Sequence, residues 1–248
     1  MDLQIKDHVA IVTGGGRGLG HAISRALGAE GARVVVWDRD DTAEQAAAEV
    51  RAEGGTAYGV SGDVTQDAVV REIVAATVER WGSIEILINC AGFSRDAPIA
   101  EMSDTEWHSV IDVCLNAPFY VCRAVAPYMI GAQYGRIVNI SSRARDGDFN
   151  KVNYCSAKAG IVGLTYALAM ELGKNGITCN AIAPGFCETE RTRGLPYYKD
   201  LKARALEKTY TSRLGVPEDI AAATLYLVSR ESGYLSGEVL EVSGGRWR

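Results

Sequence analysis

Short apolar runs rich in β-branched residues alternate with longer amphipathic stretches along the whole chain. Residues 8–12, 33–37, 56–61, 84–88, 135–140, 178–182 and 239–242 read as strands. Unbroken apolar runs of this kind, bounded by turn residues, suit strands buried on both faces. Residues 21–30, 42–53, 67–81, 105–129, 153–175, 200–208 and 218–228 read as helices, several of them stopped by glycine at Gly31, Gly54, Gly82 or Gly176. Strand and helix in alternation predict a parallel sheet with right-handed crossovers. The expected fold class is α/β, a single doubly wound Rossmann-like domain with about seven strands and helices on both faces. No proline-rich linker divides residues 1–248, so they read as one dinucleotide-binding and catalytic domain. The least regular stretch, 187–211, carries Gly194, Pro196 and the paired Tyr197 and Tyr198. A long insertion after a strand end predicts a substrate lid.

Composition narrows the function classes. Apolar residues make up 47% of the chain, enough for a sizeable core. A net charge of −5 argues against a nucleic-acid partner. No run of wholly apolar residues reaches the ~18 that suggest a membrane span, and the N-terminus lacks a signal-peptide pattern. The expected location is cytoplasmic. Six cysteines without paired spacing fit free thiols in a reducing compartment. With three histidines and no CxxC pair, no metal site is expected.

Candidate chemistry lies at two places. Gly14, Gly18 and Gly20 follow the first strand and open the first helix. Glycine lets backbone approach a pyrophosphate, and the helix start offers free N–H groups. The spacing is GxxxGxG rather than GxGxxG. Asp38 ends the second strand, where a carboxylate can accept from both ribose hydroxyls and repel a 2′-phosphate. This favours NAD over NADP, although Arg17 and Arg39 stand close enough in sequence to greet a phosphate. The second place is Tyr154 and Lys158, four apart on a helix and therefore on one face. An ammonium beside a phenol stabilises the phenolate and suits the pair to proton transfer.

Six motifs then occur in order: TGGGRGLG from Thr13, GDV at Gly62, NCAG at Asn89, NISS at Asn139, YCSAK at Tyr154 and PGFCET at Pro184. Over essentially its full length the chain resembles a short-chain dehydrogenase/reductase of the single-domain type. The resemblance implies an oxidoreductase that interconverts a secondary alcohol and a ketone with NAD, or less favourably NADP. Ser142, Tyr154 and Lys158 would be catalytic, with Tyr154 as general acid and base and Ser142 holding the substrate oxygen; Ser141 is the alternative serine. Gly14, Arg17, Gly18 and Leu19 would surround the pyrophosphate and adenosine. Asp63 and Val64 would flank the adenine, and Asn89, Ala91 and Gly92 the ribose. Lys158 and Tyr154 would also meet the nicotinamide ribose, and Pro184, Gly185, Cys187 and Thr189 the carboxamide.

Three positions depart from the family's pattern. The asparagine that in relatives relays protons behind the lysine aligns with Cys114, and Asn116 lies about 200° further around a regular helix. The loop between Ser142 and Tyr154 is short and has Arg145 where an early glycine is usual. Cys90 replaces the second asparagine of NNAG, a packing change.

Substrate is expected above the carboxyl ends of the strands. Ser142, Ala144, Arg95, Arg145, Phe186 and Arg191 are candidate contacts. Arg143 and Arg193 join the arginines of that end, so the substrate is either anionic or the arginines pair with nearby Asp96, Asp146, Asp148, Glu188 and Glu190. Two alternatives remain: an NADPH-dependent 3-oxoacyl-carrier-protein reductase, and a nucleotide-binding sensor that does not turn over. The resemblance also implies a homotetramer, with Trp247 a candidate for burial in it.

Overall fold

The computed structural model describes residues 2–245. Seven strands form one parallel sheet: β1 (Val9–Thr13), β2 (Arg33–Asp38), β3 (Thr56–Ser61), β4 (Ile86–Asn89), β5 (Gly135–Ile140), β6 (Ile177–Pro184) and β7 (Val239–Val242). Their spatial order is β3-β2-β1-β4-β5-β6-β7. The order reverses between β1 and β4, which opens a crevice at their carboxyl ends.

The unbroken apolar runs follow from two cores. Successive strand residues point to opposite faces. Ala10, Val12, Val34 and Val36 enter one core with α1 (Gly18–Ala29), α2 (Thr42–Ala52) and α9 (Pro217–Val228). Val9, Ile11, Val35 and Trp37 enter the other with α3 (Asp67–Trp81) and α5 (Ala117–Ala132), and α6 (Val152–Leu172) closes the same face. The expected fold class is therefore met, with strand ends shifted by one or two residues.

Two expectations change. The helix read over 105–129 is α4 (Asp104–Ile111) and α5 joined by a π-helical turn at Asp112–Asn116. Pro118 has no N–H for the carbonyl one α-turn behind it, which weakens the regular ladder just where it widens. The combined stretch Asp104–Ala132 is long and apolar enough to cross a membrane by length and composition alone, contrary to the sequence expectation. Here it is a core helix: Val121, Cys122, Val125 and Met129 are buried against the sheet. The irregular 187–211 stretch contains α7 (Glu190–Arg193) and α8 (Tyr198–Glu207). Trp247 lies outside the described residues.

Candidate active site

The glycine turn is built for close approach. Gly14 has φ 65°, and a Cβ there would lie 2.7 Å from the Ala91 Cα. A Cβ on Gly20 would lie 2.1 Å from the Gly14 carbonyl oxygen. Substitution at either position would force β1, the turn and the Ala91 loop apart. Gly18, with φ 56°, faces Thr189, whose Cγ2 lies 3.6 Å from its would-be Cβ. The turn after β1 and the loop after β6 thus confront each other across a cleft. This cradle at the start of α1 fits a dinucleotide pyrophosphate.

Asp38 stands at the end of β2. Its carboxylate accepts from the Gly16 N–H at 3.1 Å and the Arg39 N–H at 2.8 Å. Arg17 is bonded to Asp40 at 3.2 Å. Asp38 is thus fixed at the end of β2 while Arg17 pairs with Asp40. Leu19 packs partly against the core beneath the turn. Val64 is buried, and Asp63 turns one carboxylate oxygen back onto the N–H and hydroxyl of Thr65. Asn89, another of the expected cofactor residues, is also buried. Its side chain is buried in the sheet, where it donates to Asn139 at 2.8 Å and to the Cys122 sulfur at 3.3 Å. Pro184 ends β6, Gly185 donates to the Val242 carbonyl, and Cys187 is buried in a bridge to Gly215.

The proton-transfer candidates converge on α6. Lys158 is 3% exposed, and its ammonium donates to the Ile140 carbonyl at 2.7 Å. It lies 5.6 Å from the centre of the Tyr154 ring. Burial alone would depress the lysine, yet the acidic groups of Tyr154, Cys114 and Cys90 outweigh it and the pKa is raised. The ammonium is therefore kept charged. The Tyr154 hydroxyl makes no hydrogen bond to protein among the described residues. Ser141 is buried and donates to the Lys158 carbonyl at 2.8 Å, which fixes α6 to β5. Ser142 is less buried, and its hydroxyl oxygen accepts from Ala144 N at 3.0 Å, which leaves its proton free. That division of labour favours Ser142 as the serine that meets substrate.

Cys114 occupies the place behind the lysine. A Cβ built on Gly92 would lie 3.3 Å from the Cys114 sulfur and 3.4 Å from the Lys158 nitrogen, so thiol and ammonium flank the same point. The thiol donates to the Phe93 carbonyl at 3.4 Å. Asn116 instead donates to Asp112 at 2.8 Å. Burial pushes the Cys90 thiol up to about 12.

The arginines divide. Arg145 pairs with Glu241 on β7 and lies 3.8 Å from Asp146, which makes it a brace between loop and sheet rather than a free substrate contact. Asp96 and Asp148 pair with Lys151, and Glu188 with Lys202. Among the described residues no ion pair engages Arg95, Arg143, Arg191 or Arg193. Arg95 lies over the Phe93 ring at 5.7 Å. Ala144 is buried beneath the Ser142 turn, Phe186 is half-buried, and Arg191 is exposed on α7. The 187–211 stretch is anchored by Glu188, which accepts from Tyr198 and from Lys202 on α8. Asn153, not singled out in the sequence, is fully buried, directly precedes Tyr154, and bonds two other segments as well as the Tyr154 N–H. The only sequence signal was an amide at a helix start.

Comparison with known proteins places the chain in a family. A family model described as enoyl-(acyl carrier protein) reductase matches residues 14–246. The short-chain reductase protein NovJ of Streptomyces niveus is 42% identical over 97% of this chain and 94% of that protein. The 3-oxoacyl-[acyl-carrier-protein] reductase FabG of Chlamydia muridarum is 40% identical over 99% of each. The (2S)-[(R)-hydroxy(phenyl)methyl]succinyl-CoA dehydrogenase subunit BbsD of Thauera aromatica is 40% identical over 98% and 97%. A crystal structure described as a short-chain alcohol dehydrogenase from Sinorhizobium meliloti superposes with a TM-score of 0.94 at 31% identity, covering 99% of this chain and 98% of that one. The chain belongs to the short-chain dehydrogenase/reductase family of NAD(P)-binding oxidoreductases, acting between alcohol and ketone.

Proposed function

We propose that the chain interconverts a secondary alcohol and a ketone carried on an anionic or thioester-bound molecule, with NAD as cofactor. The observation that carries the chemistry is the buried Lys158, its ammonium nitrogen 5.6 Å from the centre of the Tyr154 ring. When bound, the nicotinamide accepts or supplies the hydride. In the oxidative direction Tyr154, as phenolate, takes the alcohol proton while the C–H pair leaves as hydride; in reduction the phenol returns that proton to the carbonyl oxygen. Ser142 donates to the substrate oxygen and Lys158 holds the phenolate's charge. Such a set argues against a nucleotide sensor without turnover.

Asp38 supports NAD, because its fixed carboxylate would meet a 2′-phosphate with like charge. The four unpaired arginines at the mouth support an anionic substrate. The printed names of two relatives, a carrier-protein reductase and a CoA-ester dehydrogenase, support an acyl thioester. The carrier-protein reductases also keep a second reading in play, the same reduction with NADPH. Acetoacetyl-CoA reduction compared with NADH and NADPH decides between them. A preference for NADH of at least about tenfold is expected, falling in Asp38→Ala as charge-assisted hydrogen bonds worth roughly 1.5–3 kcal/mol are lost. A strong NADPH preference would overturn the NAD assignment, and undiminished turnover in Tyr154→Phe would overturn the mechanism.

The free cysteines are in keeping with a cytosolic location. Assembly is proposed as a homotetramer. Exposed Phe119, Tyr128 and Ile130 on α5 and Tyr166 and Met170 on α6 form apolar faces suited to burial between copies. A light-scattering mass near the 26.6 kDa monomer would refute it.

A further inference from the structure

The segment after β4 is pinned at alternate residues. Phe93 O accepts from the Cys114 thiol, Arg95 O accepts from the Asn153 amide at 2.9 Å, and Ala97 N donates to Asn150 O at 2.8 Å. Asn153 is the centre of this arrangement. Its side chain is fully buried, yet every amide proton is used. One goes to Arg95 O and the other to Glu106 O on α4 at 3.1 Å, while its carbonyl accepts from Tyr154 N at 2.7 Å. Only a short primary amide supplies two donors and an acceptor at this reach. An aspartate of equal shape would turn lone pairs toward two carbonyls.

We propose that Asn153 is a positioning residue that sets the backbone of Tyr154 in register with the 93–97 segment and α4. The proposal rests on Tyr154 being the proton donor. Its physical basis is that small displacements of a reacting group cost large factors in rate. With its side chain fully buried among protein partners, it would act through Tyr154 rather than on substrate or cofactor. Its loss should therefore lower turnover and leave cofactor binding alone, which distinguishes it from a residue that only stabilises the fold.

The test uses Asn153→Ala, the isosteric Asn153→Asp and Tyr154→Phe in the full chain. The probe is whichever ketone the wild type reduces fastest among acetoacetyl-CoA, ethyl acetoacetate and cyclohexanone. Circular dichroism measures the folded fraction and nicotinamide fluorescence the NADH dissociation constant. The expected result is a fall in kcat per folded molecule of about 10- to 100-fold in both Asn153 variants, with the NADH constant unchanged within about twofold. Asn153→Asp should also regain part of its kcat relative to wild type as pH falls toward 5.5, where a protonated carboxyl donates one of the lost bonds. Asn153→Asp carries the test if Asn153→Ala does not fold. Full kcat in the folded variants, with Tyr154→Phe inactive, overturns the positioning role alone. Equal losses of kcat and NADH binding also overturn it. An active Tyr154→Phe overturns the proton-donor assignment and this inference with it.

Discussion

Two cations are buried at opposite ends of the same sheet, and they are treated differently. At the amino end Arg136 on β5 is 5% exposed, stacks over the Tyr134 ring at 4.4 Å, and gives its protons to the backbone carbonyls of Gly135, Gly176 and Ser229. Burial lowers its pKa, with Arg230 nearby of like charge. At the carboxyl end Lys158 has one carbonyl partner, and its pKa is raised because acidic side chains face it. The first cation is consumed in tying β5 to the turn at Gly176 and the end of α9 at Ser229. The second retains unassigned protons toward a cleft. A buried charge satisfied by backbone reads as architecture, and one left half-satisfied beside titratable groups reads as chemistry.

The contrast can be broken most sharply by exchanging the losses. Lys158→Met should cut kcat by about 10²–10⁴-fold, the usual worth of acid–base machinery, with little loss of thermal stability because an apolar side chain replaces a buried charge. Arg136→Met should do the reverse. It leaves several carbonyls without donors, at about 2–4 kcal/mol in urea denaturation, and kcat per folded molecule should stay near wild type. Loss of activity in Arg136→Met without loss of stability would erase the distinction.

A smaller effect is expected from His8, which sits beside Tyr134 at the amino end with ring centres 5.2 Å apart. Burial lowers its pKa from the ordinary 6.5, Glu85 and Asp7 raise it, and Arg230 and Arg136 lower it further. The folded state therefore prefers the neutral ring. That contribution to stability is complete above the unfolded value near 6.5 and is lost as pH falls through the lower folded value. Thermal melts at pH 7.5 and 5.5 should show a drop in wild type that is reduced in His8→Gln. An identical drop in both would assign it elsewhere.

The smallest change is expected at Cys114. Replacing this thiol with asparagine puts a stronger donor and acceptor behind Lys158. Turnover should rise by about two- to fivefold, a fraction of what acid–base groups supply, with steady-state kcat as the readout. An unchanged or lower kcat would mean that the thiol's bond to Phe93 O matters more than its polarity.

Much of this was legible in the residues. The apolar strands announced themselves because both faces are buried, as Val34, Val35, Val36 and Trp37 show by entering two cores in turn. Tyr154, Lys158 and the glycine turn could be nominated from sequence because the chemistry proposed for them constrains residue type and spacing together. Arg136 was not, since nothing in GRIVNI distinguishes a buried guanidinium from a strand-end cation. Arg145 could not be placed either, because its partner Glu241 lies 96 residues away on β7. Asn153 looked like an ordinary helix start. Its importance lies in carbonyls of two other segments, and backbone acceptors leave no trace in side-chain pattern.

The π-helical turn between α4 and α5 has a further meaning in terms of phase. One surplus residue in a helix advances everything beyond it by about 100°. Val110 on α4 consequently packs with Cys114, Ala157, Phe93 and Tyr154, while Val121 and Val125 on α5 point into the sheet core with α3. A single strictly periodic helix would keep one face throughout and could serve only one of these neighbours. Deleting one residue within 112–116 would restore the period and oblige the two halves to compete for orientation. The turn thus acts as a gear offset: one continuous rod meshes with the helix that carries Tyr154 and Lys158 at one end and with the structural core at the other.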